Sequence, residues 1–180
     1  MKNNTFNFCP DCGSKNIRTE MNGRKWLCPD CGFDLYNNVA SAVGVIIINS
    51  KGEVLFERRA KDPKKGCLDL PGGFTDPDET AEETVKRECL EETSVEPSNI
   101  KYLCSFPNTY EYKGFSYKTC DLYYTAFYSD DVELKPQEGE VVSFEFVKFE
   151  TEEDIDKADL AFISARNALK FWLKNRNNKC

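Results

Sequence analysis

Residues 71–95 read Pro71-Gly-Gly73-Phe-Thr-Asp-Pro-Asp-Glu79-Thr-Ala-Glu-Glu-Thr-Val-Lys-Arg87-Glu88-Cys-Leu-Glu91-Glu92-Thr-Ser-Val95. The opening Pro-Gly-Gly is a turn, because glycine takes backbone angles closed to other residues. Thr80 followed by Glu83 is a capping box, and the stretch from Ala81 to Thr93 holds neither Gly nor Pro, so it predicts a helix. At about 100° per residue, Ala81, Val85 and Cys89 mark the apolar side of that helix. Glu88 and Glu92 fall on the same side, and Glu91 lies within about 60° of Glu88. A surface helix ordinarily turns its acids away from its apolar stripe.

Crowding carboxylates beside an apolar stripe costs Coulomb repulsion and desolvation unless cations neutralise them. Oxygen-only donors suit a hard ion such as Mg²⁺ or Mn²⁺. A solvated acidic helix is the competing reading, since Glu is a good helix former. The whole stretch resembles the Nudix box, Gly-x5-Glu-x7-Arg-Glu-U-x-Glu-Glu-x-Gly-U, where U is bulky and apolar. Gly73, Glu79, Arg87, Glu88, Glu91, Glu92 and Val95 match at their spacings. Cys89 is a smaller residue at the first U, and Ser94 replaces the last Gly, where a left-handed helix exit is expected.

The resemblance covers roughly residues 39–175. It implies a divalent-metal enzyme that hydrolyses the diphosphate of a nucleoside diphosphate derivative. It also implies metal ligation by Glu88, Glu91 and Glu92, with the carbonyl of Gly72 or Gly73 added. Arg87 would pair with a box carboxylate, and Glu79 and Gly73 would support that network. Glu91, Glu92 and Arg87 are then expected in catalysis. One further acid from the loop before the last strand is expected as well; Glu140 is chosen, with Glu138 as alternative.

Cys9-Pro-Asp-Cys12-Gly and Cys28-Pro-Asp-Cys31-Gly are near copies. Two such knuckles close a tetrahedral Zn²⁺ site with no open position, so the zinc is structural. Residues 14–27 between them fit a hairpin around Asn22-Gly23. The expected organisation is therefore a four-cysteine zinc ribbon over residues 1–36 and a catalytic domain over 37–180.

Val39 to Asn49 reads as a strand buried on both faces. Glu53–Arg59 follows as a second strand, then a polar Lys-rich loop at 61–66, then a short strand at Cys67–Leu70. After the acidic helix come strands at about Ile100–Tyr112, Phe115–Tyr128 and Val141–Phe149, a short helix capped by Thr151, and a last helix over about Ser164–Asn175. This order is α/β or α+β with a mixed sheet. The resemblance sharpens it to the α/β/α sandwich of the family.

The chain has 180 residues, net charge −7, nine Cys and no His. The acidic balance argues against a general nucleic-acid or anionic-membrane surface. No apolar run approaches a membrane span, the start Met1-Lys-Asn-Asn-Thr-Phe6 lacks an apolar leader core, and an odd number of Cys argues against a disulfide framework; a cytoplasmic protein is expected. A ribbon ahead of the box resembles the NADH pyrophosphatase branch, whose substrates point to NADH, ADP-ribose or a related nucleotide. That branch carries a Ser-Gln-Pro-Trp signature, of which Ser105-Phe-Pro-Asn108 keeps only Ser and Pro. A non-catalytic nucleotide-binding module and an RNA-decapping enzyme that recruits through its ribbon are the alternatives. The resemblance also allows a homodimer, which is common in the family.

Overall fold

In the computed structural model, which describes residues 6–176, the acidic stretch is helix α1 (Ala81–Thr93). Thr80 Oγ1 accepts the Glu83 N–H at 3.2 Å and Glu83 accepts the Thr80 N–H at 2.8 Å. These bonds satisfy two of the free donors at a helix start. At the other end Ser94 itself adopts the left-handed conformation, φ 62° and ψ 18°, and its N–H reaches the Leu90 carbonyl at 2.9 Å. The chain therefore makes the exit expected of Gly without one. The first residues, on which the absence of a leader was read, and Cys180 lie outside the described residues.

Two compact units are present. The first holds the described residues up to Val39 together with Glu111–Tyr117. In it β1 (Arg18–Glu20), β2 (Lys25–Leu27) and β3 (Asp34–Tyr36) form an antiparallel sheet in the order β1-β2-β3. The expected hairpin turn is present at Met21–Gly23, with positive φ at Asn22 (56°) and Gly23 (86°). The third strand was not anticipated from the sequence. Trp26 is buried here, its ring meeting Phe6 edge-on at 5.0 Å.

The second unit is built on a six-stranded mixed sheet. Its members are β4 (Ala40–Ile48), β5 (Val54–Arg59), β6 (Leu68–Asp69), β7 (Ser98–Tyr112), β8 (Phe115–Phe127) and β9 (Val141–Val147), the ends of β7 and β8 within 111–117 being counted with the first unit. The order is β6-β5-β4-β8-β7, and β9 pairs with β5 off this path. β4 and β8 are parallel; β5 runs antiparallel to β4, β6 and β9. Side chains alternate along β4, as a strand buried on both faces requires. Val43, Val45 and Ile47 pack with Val85 and Cys89 of α1. Ile46 points the other way, toward Ala165, Ala168, Leu169 and Trp172 of α3 (Ile163–Asn175), where α2 (Glu152–Lys157) adds Ile155.

Helices thus cover both faces, giving the α/β/α sandwich. Full burial of Val85 alone contributes roughly 1.5–3 kcal/mol to holding α1 on the sheet. No helix among the described residues is long and apolar enough to cross a membrane.

Candidate active site

The turn before α1 is threaded directly over two of its carboxylates. The Val45 N–H donates to the Pro71 carbonyl at 2.9 Å and the Val43 N–H to the Gly73 carbonyl at 2.8 Å, pinning the turn to β4. Gly72 has φ +142°, and a Cβ there would strike the Val43 carbonyl and lie 3.0 Å from the Gly44 Cα. A Cβ on Gly73 would run into the Glu88 carboxylate. Both glycines are therefore needed for closeness as well as for turning. The Gly72 N–H donates to Glu92 Oε2 at 2.8 Å.

Glu92 is buried, and that burial, reinforced by Glu57 and opposed by the Gly72 N–H, raises its pKa well above the usual carboxylate value. Glu88 is mostly covered and is pushed up by burial, with Arg87 opposing. Glu91 is more exposed and lies 3.5 Å from Arg87.

Arg87 holds this face together. Its Nη1 donates to Glu88 at 2.9 Å, its Nη2 to the Phe74 carbonyl at 3.1 Å, and its Nε and Nη2 to the two oxygens of Glu79. The Arg87 hydrogen bonds, aided by those from Asp76 N–H and Thr84, hold the Glu79 carboxyl down at about 2. The sequence placed Arg87 and Glu79 in one supporting network, and the structure brings them into contact.

Glu88, Glu92, Gly72 and Gly73 open onto a cavity of about 320 Å³ within the second unit. Glu140 also lines it, ion-paired with Lys61, whereas Glu138 and Glu91 do not line it. The Glu140 loop is tied to α1 by the Gln137 N–H on the Glu92 carbonyl at 3.1 Å. Its own carbonyl accepts the Ala60 N–H at 2.8 Å. Phe74, Tyr110 and Phe162 supply an aromatic wall, with Tyr110 and Phe162 rings 5.7 Å apart and Arg59 stacked 5.3 Å from Phe162.

Several of these groups escaped the sequence reading. Arg59 donates to Asp69 at 2.7 Å, yet burial outweighs that partner and pushes Asp69 up to about 6. Asp121, also on the cavity wall, accepts from Thr119 at 2.5 Å and Ser164 at 2.7 Å. Glu57 lies behind Glu92; burial, with the Asp69 and Glu88 charges, lifts it to about 8. Glu57 shares the strand phase of buried Leu55, and an acid in an apolar phase was the available signal.

The donor set fits a hard divalent cation: the acids on this face offer oxygen, and a buried oxygen of Glu57 has no hydrogen-bond partner. The acids are not drawn as close as the cysteines. Among the described residues, Cys9, Cys12, Cys28 and Cys31 form the group of three or more such ligands whose donor atoms all lie within 4.8 Å. Cys9 and Cys31 sulfurs are 3.7 Å apart, as are those of Cys12 and Cys28. A disulfide would need about 2.05 Å. A tetrahedron with metal–sulfur bonds of about 2.3 Å has edges of about 3.8 Å, so the sulfurs stand at zinc-site spacing. Each knuckle is closed by a Gly N–H on the first Cys carbonyl at 2.9 Å, Gly13 to Cys9 and Gly32 to Cys28.

A model of the NUDIX domain matches residues 39–167. The NAD-capped RNA hydrolase NudC of Deinococcus radiodurans is 31% identical over 165 residues, covering 90% of this chain and 55% of that protein. The NAD-capped RNA hydrolase of Schizosaccharomyces pombe is 32% identical over 117 residues, 57% of this chain and 31% of that one. The chain thus spans only part of the length of these curated relatives. Among solved structures, the NUDIX domain of Shewanella oneidensis NrtR complexed with ADP ribose is 25% identical with a TM-score of 0.61, covering 78% of this chain and 90% of that chain. A NUDIX hydrolase from Nitrosomonas europaea is 25% identical with a TM-score of 0.64, covering 94% and 91%.

Proposed function

The chain belongs to the NUDIX family, and from that membership we propose that it hydrolyses the diphosphate bond of a nucleoside diphosphate derivative. NADH, ADP-ribose or a related dinucleotide or nucleotide sugar is the substrate class. The observation that carries this reading is the placing of Glu88, Glu92 and Glu140 on one cavity that also has an aromatic wall. Acids would serve the diphosphate through a cation, and the wall would take a planar base.

In this reading Glu88, Glu91, Glu92 and the Gly72 carbonyl would hold Mg²⁺ or Mn²⁺, which would neutralise phosphate oxygens and lower the pKa of an attacking water. Arg87 fixes the rotamers of the acids, with Glu79 as its anchor. Glu140 accepts the proton of the water, and Lys61 and Arg59 bring positive charge to the phosphate oxygens. Water adds to one phosphorus, the bridging P–O bond breaks, and two phosphate monoesters leave.

We take residues 1–36 as the ribbon, stabilised by Zn²⁺ on its four thiolates, and 37–180 as the hydrolase domain. The cytoplasm is the compartment of this reading, since thiolates persist there. A second reading, hydrolysis of a capped RNA end, is favoured by a relative named for that activity aligning with 90% of the chain.

One panel tests both: NADH, NAD⁺, ADP-ribose, diadenosine polyphosphates, nucleoside triphosphates and an NAD-capped RNA, each with Mg²⁺ and with cleavage products resolved. Turnover of dinucleotides or ADP-ribose with idle triphosphates is expected. Preference for the capped RNA over free NAD⁺ would move the assignment to the second reading. Cleavage of nothing in the panel would leave a nucleotide-binding module.

A further inference from the structure

We propose that Glu57 is a further ligand for a divalent cation, forming with Glu88 and Glu92 a cation position on the sheet side of α1. This rests on the metal-dependent reading above, and it adds to that reading a residue from outside the helix and its turn.

Glu57 sits in the middle of β5 and is 4% exposed. Its charge acts on Glu92 and that of Glu88 acts on it, so Glu57 neighbours the acids of α1. One of its oxygens, Oε1, is buried and has no hydrogen-bond partner. A buried carboxylate oxygen is expected to be bonded, because its hydration is lost on folding. Among the described residues no side-chain cation hydrogen-bonds to it, and the Arg59 charge, which does act on Glu57, is shared with Asp69. Arg59 is engaged with Asp69 at 2.7 Å, and Arg87 with Glu79 and Glu88.

The strand register makes the shortage of positive charge worse. Asp69 stands directly opposite Glu57 across β5 and β6, so both acids point to the same face of the sheet. Like charges in opposite registers repel, and the Asp69 charge reaches Glu92 as well. An orphan oxygen, a neighbouring buried acid and a facing acid are together what a divalent ion with oxygen ligands would resolve. A well-packed apolar residue at position 57 would avoid the cost altogether.

The test is Mn²⁺ binding to the zinc-loaded full chain without nucleotide, followed by electron paramagnetic resonance of the free ion. Glu57→Gln is expected to weaken Mn²⁺ binding by about tenfold or more, or to remove one bound ion. Its Mn²⁺-induced rise in Tm should shrink in parallel. Should Glu57→Gln fail to fold, Glu57→Asp keeps the charge and withdraws it from the ion, and its binding should again be weaker. Wild-type affinity and stoichiometry in the folded Glu57→Gln protein would overturn the inference. Glu88→Gln separates the two proposals. Loss of binding in Glu88→Gln but not in Glu57→Gln overturns the Glu57 ligand alone. Mn²⁺ binding that depends on Glu57, in a chain that cleaves no nucleotide, supports the ligand and overturns the hydrolase reading.

Discussion

Arg87 grips Glu79 through two nitrogens, Nε on Oε1 at 2.7 Å and Nη2 on Oε2 at 3.0 Å, while its remaining Nη1 reaches Glu88. One planar guanidinium thereby connects the loop before α1 to an acid on the cavity wall. The arrangement makes Arg87 a positioning residue: it sets where Glu88 stands.

Arg87→Ala should lower turnover about 10–100-fold, the usual consequence of removing a group that orients metal-binding acids. Arg87→Lys should recover little of it, because an ammonium cannot span both Glu79 oxygens and Glu88 together. The loss should fall on kcat and on Mg²⁺ affinity, with nucleotide KM changed less. Wild-type Mg²⁺ dependence in Arg87→Lys would show that the fork is dispensable.

The same contact has a pH signature. Glu79 is held down at about 2 against an ordinary 4.5. Between those values the unfolded chain takes up a proton that the folded chain refuses, so stability falls with falling pH. Glu79's contribution is complete above about pH 4.5 and is lost as pH falls through about 2. Urea midpoints of wild type and Glu79→Gln should therefore differ at about pH 6 and converge near pH 2. A gap that stays constant over that range would rule out the Arg87 contact as its source.

Glu140 and Glu138 are neighbours in sequence with different outlooks, since Glu140 alone of the two lines the cavity. If Glu140 accepts the proton of the attacking water, Glu140→Gln should cost on the order of 10²-fold or more in kcat. Glu138→Gln should cost little. Equal losses, or the reverse order, would remove Glu140 from that role.

How far the sequence reaches depends on whether a side chain's surroundings are local. Thr80 and Glu83 satisfy each other within one turn, and α1 starts where their spacing says. β4 is legible because an apolar run has only a doubly covered sheet to occupy. Glu57 was legible only as an acid in the apolar phase of β5; that its neighbours are Asp69 and Glu92 follows from a register and a packing contact that no local spacing encodes. The same holds for β3, whose pairing with β2 follows from the second cysteine knuckle turning the chain back. Glu140 could be shortlisted from its distance to the last strand, but the choice over Glu138 depends on the turn fixed by Gln137.

The cysteine cluster predicts metal-dependent order in the first unit. Trp26 is 6% exposed, and no sheet as small as three strands of three residues buries much without a staple. Stripping zinc, or Cys28→Ser, should release one zinc per chain and shift Trp26 emission to the red, read in a Trp172→Phe background. Emission that is unmoved by complete zinc removal would mean that the ribbon holds itself.

Ser94 gives a stability test at the end of α1. Its φ of 62° is a conformation that costs a residue with a Cβ roughly 1–2 kcal/mol, and the Ser94 hydroxyl recovers little, reaching the Lys135 carbonyl only at 3.4 Å. Gly removes that cost but loses more entropy on folding, about 0.5–1 kcal/mol. The balance leaves Ser94→Gly stabilised by roughly 0.5–1 kcal/mol. Ser94→Val, β-branched in the same conformation, should be destabilised by about 1 kcal/mol or more. Urea unfolding with an unchanged m-value measures both. A less stable Ser94→Gly would mean that the exit from α1 is held by contacts to the following chain, such as the Lys135 N–H on the Thr93 carbonyl at 2.9 Å, so strongly that the backbone preference of residue 94 no longer matters.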